Sequence, residues 1–472
     1  MLNRINKINS NLVYVVVMGK IRKSKSLSQL LKNLDNETKF NELFLLRSEY
    51  KSIDSKGRYL HWDQFQWRVK KGDNEDLVWI ATKMARASMA KKIPLQAEKD
   101  TVFHYCVPES LFAQLHKIDK LTGGGKDISD GNLVTKAEKN RYLIQSLIQE
   151  EAITSSQLEG ASTTRKVAKE MLSKNLPPQD KSQQMILNNY LLMKKVVEKK
   201  DEKLSIEFIL ELHKIAVYNA IENEGIAGEF RNNNNIFVSD LYNENTFQAP
   251  DYKTIVDQLK ELCEFANKID NDSDNYSNFI HPIIKAIILH FMIAYIHPFA
   301  DGNGRTARAI FYWSILRSGY WLFEYISISK FIQQKRNDYD KAFIYVETDE
   351  FDLTYFLYYQ VDIIIKAINS LYEYIDKKKR ELYEFMDWID NSIVAKTLNK
   401  NHLEILKQAL KNIGKEFTAQ QVANDLGLTP NTARNYLNQL VEKDLFLATK
   451  ARKGKTIIYV ARDNLKARLK IS

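Results

Sequence analysis

His297-Pro298-Phe299-Ala300-Asp301-Gly302-Asn303-Gly304-Arg305-Thr306-Ala307-Arg308 decides how the rest of this 472-residue chain is read. The stretch holds a base, a carboxylate, two glycines around an amide, and two guanidinium groups. Two glycines so close lose much backbone entropy in a helix, so Gly302-Asn303-Gly304 is expected to form a turn whose N–H groups make an anion nest. From Arg305 the apolar spacing of Ala307, Ile310, Phe311 and Ile315 becomes helical. A loop that opens into a helix N-terminus favours phosphate. Arg305 and Arg308 lie three apart on one helical face, and each guanidinium can fork onto phosphate oxygens. Arginines in a first turn oppose the helix dipole, and a bound anion accounts for placing them there. Asp301 is a hard oxygen ligand of the kind that holds Mg²⁺ against phosphates. His297 can take a proton near neutral pH.

Working outward, Ile283 to Ile296 is apolar on nearly every face, which predicts a central, fully buried helix. It is too short for a membrane span, and Lys285 and Pro298 interrupt or end it. The chain thus reads helix, phosphate loop, helix, with His297 at the mouth. His213, His281 and His290 read as structural histidines.

These residues match the motif His-Pro-Phe-x-Asp/Glu-Gly-Asn-Gly-Arg-x-x-Arg at every fixed position, and the chain resembles the Fic family. The resemblance implies a mainly α protein with an all-helical core and transfer of AMP from ATP to a Ser, Thr or Tyr hydroxyl, releasing pyrophosphate. It makes His297 the base, Asp301 the Mg²⁺ ligand, and Phe299 the anchor of the loop in the core. It assigns Gly302, Asn303 and Gly304 to the phosphates, and Arg305 and Arg308 to the leaving pyrophosphate.

A second motif lies upstream in Thr154-Ser155-Ser156-Gln157-Leu158-Glu159-Gly160. Ser155 and Glu159 share a helical face at four-residue spacing, and Gly160 reads as the helix stop. This is similar to the inhibitory motif of Fic proteins, Ser/Thr-x-x-x-Glu-Gly/Asn. It implies that Glu159 pairs with Arg308 and denies it to the γ-phosphate, with Ser155 and Gly160 completing the regulatory motif. The resemblance also leaves open that Glu159 assists hydrolytic removal of AMP. Between the motifs, Gly228-Glu229-Phe230-Arg231 and four asparagines precede Ile236-Phe237-Val238-Ser239. After the polar run from Asp240 to Asn245 come Thr246-Phe247-Gln248-Ala249-Pro250. Two short apolar stretches around an Asp/Asn-rich turn predict a β-hairpin. In Fic proteins a hairpin here, the flap, pairs with an extended target segment, which casts Ile236, Phe237, Val238 and Phe247 as target-binding. Tyr339 resembles a family tyrosine that contacts adenine, and it reads equally well as a core tyrosine.

The C-terminal stretch looks like a separate module. Thr418 opens a capping box for a short helix ending at Leu426-Gly427, and Thr429 caps a second helix with Pro430 at its first position. Two strands are expected at Leu445 to Thr449 and Thr456 to Val460. Helix-turn-helix plus a hairpin resembles a winged-helix (α+β) domain. From residue 401 there are 13 Lys and Arg against 6 Asp and Glu, most of the chain's net charge of +10. That surplus suits a nucleic-acid backbone, although a protein-docking role is also open.

The expected organisation is an N-terminal region over 1–100 and a segment over 101–200 whose inhibitory helix covers about 145–160. A catalytic core follows over 201–330, then a helical connector over 331–400 and the winged helix over 401–472. Only Cys106 and Cys263 are present, which excludes a disulfide scaffold and a cysteine-based metal site. The expected setting is a bacterial cytoplasm without membrane contact. Leu12 to Met18 reads as an ordinary strand, or as sequence ahead of a true start at Met18. Expected partners are ATP, a protein target, DNA through 401–472, and a second copy as a homodimer. Two alternatives stand beside AMP transfer: a DNA-binding regulator with a Fic domain as nucleotide sensor, and a de-AMPylating hydrolase.

Overall fold

The computed structural model describes residues 21–469 except 33, 35–36, 99–100, 123–142, 222–224, 236, 240–245, 269–278, 392, 412–414 and 451–455. The expected strand at Leu12 to Met18 lies outside those residues. The protein is mainly helical with small antiparallel sheets, as expected. It divides into two compact units, Met1–Asn369 and Ser370–Ser472, and the division falls within one 38-residue helix, Thr354–Asn391.

The first unit is built from α1 (Glu75–Ala87), α2 (Glu109–Thr122), α3 (Leu143–Leu158), α4 (Arg165–Lys174), α5 (Lys181–Glu198) and α6 (Ile206–Val217). It continues through α7 (Ile255–Asn267), α8 (Pro282–Ile296), α9 (Asn303–Arg317), α10 (Ser329–Gln334) and α11 (Arg336–Thr348). At its centre α8 packs on α9, with α5 and α6 against α9 and α7 against α8. The reason is in the residues. Pro282 at the first position, which has no N–H to satisfy, and the His281 ring, which accepts from the Ile283 N–H, start α8. Every residue of α8 from Ile283 to Met292 is buried, so no face is left for solvent. Pro298 ends the helix by disfavouring helical backbone at the residue before it, and His297 turns to φ 50°, ψ 57°.

Two hairpins sit on this helical body. β1 (Lys91–Glu98) pairs with β2 (Thr101–Tyr105). β3 (Phe237–Ser239) pairs with β4 (Thr246–Gln248) in the register Val238 opposite Phe247, so the hairpin expected at this point is present. The segment before β1 is joined to residues 349–355 by buried charge. Lys83 bonds Asp349 at 2.9 Å, and Arg86 donates to the Tyr355 hydroxyl at 2.7 Å and the Leu60 carbonyl at 2.8 Å.

The second unit contains α12 (Ala419–Leu426), α13 (Pro430–Glu442) and a three-stranded sheet of β5 (Glu416–Phe417), β6 (Phe446–Lys450) and β7 (Ile457–Ala461), in the order β5-β7-β6. The capping box at Thr418 and the cap at Thr429 with Pro430 form as expected, and Gly427 takes φ 67° to end α12. Ala433, Leu437 and Leu440 face the core. The strands begin one residue later than expected. Asp444 takes φ 58° and the Leu445 N–H closes onto the Leu440 carbonyl, so Leu445 belongs to the turn.

Candidate active site

His297 sits where α8 stops. Its Nδ1 lies 3.2 Å from the Ala294 carbonyl, and an N–H there leaves Nε2 as a bare acceptor. Burial chiefly lowers the imidazole pKa, to about 4, and the Arg231 guanidinium lowers it further against the opposing pull of Glu159 and Asp301. At pH 7 the ring is neutral and able to accept a proton.

The loop after it is internally tied. Phe299 is wholly buried and stacks on the His213 ring at 3.6 Å and on Phe230 at 5.6 Å. The Asn303 amide closes the turn from both ends, accepting from the Phe299 N–H at 2.9 Å and donating to its carbonyl at 2.7 Å. The Asn303 side chain is therefore committed to the loop. Helix α9 starts at Asn303, two residues before the expected Arg305, because only Gly302 takes the left-handed conformation, at φ 83°. A Cβ on Gly302 would come within 2.5 Å of Val217, and one on Gly304 within 2.3 Å of the Glu159 carboxylate. Gly304 is thus helical, and its role is close approach. The N–H groups of Asn303, Gly304 and Arg305 precede the first intrahelical bond, from the Thr306 N–H to the Gly302 carbonyl, and form the helix N-terminus.

The two arginines differ. Arg305 is buried, donates to the Ala216 carbonyl at 2.7 Å and pairs with Asp301 at 3.0 Å. Arg308 reaches α3, donating to the Ser155 hydroxyl at 2.8 Å, the Ser155 carbonyl at 3.1 Å and the Glu159 carboxylate at 2.8 Å. Ser155 and Glu159 therefore meet Arg308 together. Glu159 is the last residue before Gly160, which at φ 96° supports a C-terminal turn closed by the Ala161 N–H on the Ser156 carbonyl. A carboxylate at a helix C-terminus opposes the dipole. Burial pushes the Glu159 pKa up, but Arg308 first, then Arg305 and Arg336, hold it below its usual value.

Helix α3 is held in place by Glu151. It accepts from the Ser327 hydroxyl at 2.7 Å, the Ser329 N–H at 3.1 Å and the Ser329 hydroxyl, at the start of α10. Arg336 adds a bond to the Leu158 carbonyl at 3.3 Å. Neither residue stands out in the sequence, because the partners lie more than 170 positions away. His213 has the structural role expected of it. Its Nε2 lies 2.9 Å from the Asp301 carbonyl and its Nδ1 accepts from the Gly228 N–H, so it ties α6 to the loop.

Tyr339 is buried among Phe343, Phe356 and Tyr359, with its hydroxyl 3.1 Å from His290. Of the hairpin residues read as target-binding, Ile236 lies outside the described residues. Phe237, Val238 and Phe247 are described in backbone only, on the two paired strands. Asp301 fits a metal as a single carboxylate. Among the described residues no cluster of three or more His, Cys, Asp or Glu could hold one alone. Nucleotide phosphates and water would supply the other ligands, which is how Mg²⁺ is bound with nucleotides. No helix of the described residues is long and apolar enough to cross a membrane.

Residues 203–315 match the Fic/DOC family. Over 125 residues the protein is 34% identical to protein adenylyltransferase fic-1 of Caenorhabditis elegans, covering 26% of this chain and 22% of that one. Over 121 residues it is 33% identical to protein adenylyltransferase Fic of Nematostella vectensis, covering 26% and 25%. The matched stretch thus spans no more than a quarter of these curated relatives. Among solved structures, a Fic family protein from Desulfovibrio desulfuricans aligns with a TM-score of 0.47 at 18% identity, over 76% of this chain and 97% of that one.

Proposed function

We propose that the protein transfers AMP from ATP to a hydroxyl of a protein target, and that Glu159 restrains the reaction by pairing with Arg308. The observation that carries the proposal is the His297 ring, fixed by the Ala294 carbonyl with Nε2 open, at the mouth of the Gly302 to Arg308 helix N-terminus. The relatives that are named protein adenylyltransferases support it. In the reaction, Nε2 takes the proton of the target hydroxyl, whose oxygen bonds to the α-phosphorus. The bond from the α-phosphorus to the bridging oxygen breaks, and pyrophosphate leaves with that electron pair. The N–H groups of Asn303 to Arg305 face the phosphates, Arg305 and Arg308 neutralise the leaving group, and Tyr339 borders the adenine. Asp301 would hold Mg²⁺, whose charge offsets that of the phosphates. The hairpin of β3 and β4 would receive the target as an added strand.

Ser155 and Glu159 hold the Nε and one terminal nitrogen of Arg308, and the Glu159 carboxylate already meets its charge, so the γ-phosphate and Glu159 compete for one guanidinium. Labelling with ATP carrying a labelled α-phosphate tests this. Strong incorporation in Glu159→Gly, weak incorporation in the parent and none in Glu159→Gly with His297→Ala is expected. Absence of label in all three, with ATP still bound, overturns the transfer reading.

For the second unit we infer a winged helix that contacts a nucleic-acid backbone, because 13 basic residues face 6 acidic ones from residue 401 and Arg434 and Asn435 are exposed on α13. Binding of duplex DNA that weakens steeply with salt would support it, and salt-independent binding would overturn it.

A further inference from the structure

Arg231 closes the Gly228-Glu229-Phe230-Arg231 stretch ahead of the hairpin, and it is buried. Its Nε donates to the His297 carbonyl at 2.8 Å, and one terminal nitrogen reaches the Ile296 carbonyl at 3.4 Å and the Pro250 carbonyl. The other terminal nitrogen donates to the Asn233 carbonyl at 2.9 Å and the Asn234 side chain at 3.1 Å. Its own N–H donates to the Pro298 carbonyl at 2.9 Å. Asn234 in turn accepts from the Tyr252 N–H at 2.8 Å and donates to Asp251 at 3.2 Å. One guanidinium therefore binds the end of α8 that carries His297 and both stems of the hairpin, at 233–234 and at 250.

We propose that Arg231 is a positioning residue that fixes the β3–β4 hairpin in register with His297, so that a segment docked on the hairpin presents its hydroxyl to Nε2. The role rests on the AMP-transfer reading above. Three physical points support it. The carbonyls at the C-terminus of α8 are orphan acceptors at the negative end of the helix, and a buried cation satisfies both the hydrogen bonds and the dipole. The planar fork of a guanidinium can hold groups from three segments at fixed angles, whereas a lysine ammonium cannot. Removing the guanidinium strands several buried carbonyls, so the hairpin stems and the helix end lose their common reference.

The experiment compares Arg231→Lys and Arg231→Gln in the Glu159→Gly background, with ATP labelled in the α-phosphate. It reads label on the protein itself and free AMP released to water, each corrected for the folded fraction by thermal melting. Transfer to a polypeptide hydroxyl needs both the hairpin and the base, while transfer to water needs the base alone. The expected result is about a 100-fold fall in protein labelling for Arg231→Gln, the scale of a misplacement near 1 Å, with a smaller fall in AMP release. Partial recovery is expected in Arg231→Lys, with ATP affinity kept in both. Amide exchange in the unliganded protein should quicken together at residues 248–252 and at His297. Equal falls in both products, tracking only the loss of folded protein, would reduce Arg231 to a fold-stabilising residue and overturn the proposal. Unchanged labelling would overturn it too. If the Glu159→Gly parent itself transfers nothing, the AMP-transfer reading fails first and takes this role with it.

Discussion

Residues 297–308 and residues 155–160 each lie at a helix boundary, and they hold their charges in opposite ways. In the first stretch, cations gather at a helix N-terminus, where the dipole repels them, and Arg305 is met by Asp301 and the Ala216 carbonyl within the core. In the second, an anion sits at a helix C-terminus, again on the wrong side of the dipole. Arg308 and Glu159 resolve both conflicts at once by pairing at 2.8 Å. The lesson is that each stretch carries a charge placed badly for its own helix, and the two misplacements fit one another. A phosphate chain arriving at the same helix N-terminus offers Arg308 a second partner of the same sign as Glu159, and competition between them is a ready switch.

The comparison can be broken from either side. Replacing His297 with Ala in the Glu159→Gly background removes the base without touching the arginines, and label transfer should fall about 10² to 10⁴-fold. Gly302→Ala should come next. Its Cβ would meet Val217 at 2.5 Å at a backbone φ of 83°, and a melt should show a loss of roughly 2–4 kcal/mol from overpacking and strain together. Glu159→Gly should raise labelling over the parent by roughly 5 to 150-fold, the usual range of coupling between two competing occupants. Thr418→Ala tests a cap in the second unit that takes no part in this charge exchange, and should cost about 1 kcal/mol in the unfolding of that unit while leaving labelling unchanged.

The histidines add a pH test. His297, His213 and His61 are lowered to about 4 and His290 to about 3, mainly by burial. Below about pH 6.5 an unfolded chain protonates these rings and the folded chain does not, so the unfolded state binds more protons. The stability these rings contribute is therefore full above about pH 6.5 and is lost as pH falls toward about 4, while Glu347, pushed up to about 8 by burial, acts in the opposite sense. Melting across that window checks the sign, and a rise in stability on acidification would contradict the buried, neutral rings.

What is legible in the sequence divides by the range of the interaction. Helix caps and hydrophobic period act over a few residues. The ends of α8, the capping box at Thr418 and the proline start of α13 are therefore legible, as is the hairpin at 237–248. Local spacing puts Gly304 in a turn, whereas it is helical, because its reason is a neighbour 145 positions away, the Glu159 carboxylate, which a Cβ would strike. The resemblance points to Glu159 and Ser155, but the way both grip Arg308 needs the packing of α3 against the α9 side of the core. Arg231, Arg336 and Glu151 leave no trace, because their partners are largely backbone groups and hydroxyls, which every sequence contains.

The sequence by itself determined the helical class, the order of the elements, the twelve-residue motif and the charge surplus of the last seventy residues, since each is written in local spacing or composition. Only the tertiary structure decided that Arg308 meets Glu159, and that one buried guanidinium ties the hairpin to the helix end. Arg308 meets Ser155 and Glu159 across 153 and 149 positions, and Arg231 meets the His297 carbonyl across 66. Distance through the chain carries no information about which donor finds which acceptor until the apolar faces have packed.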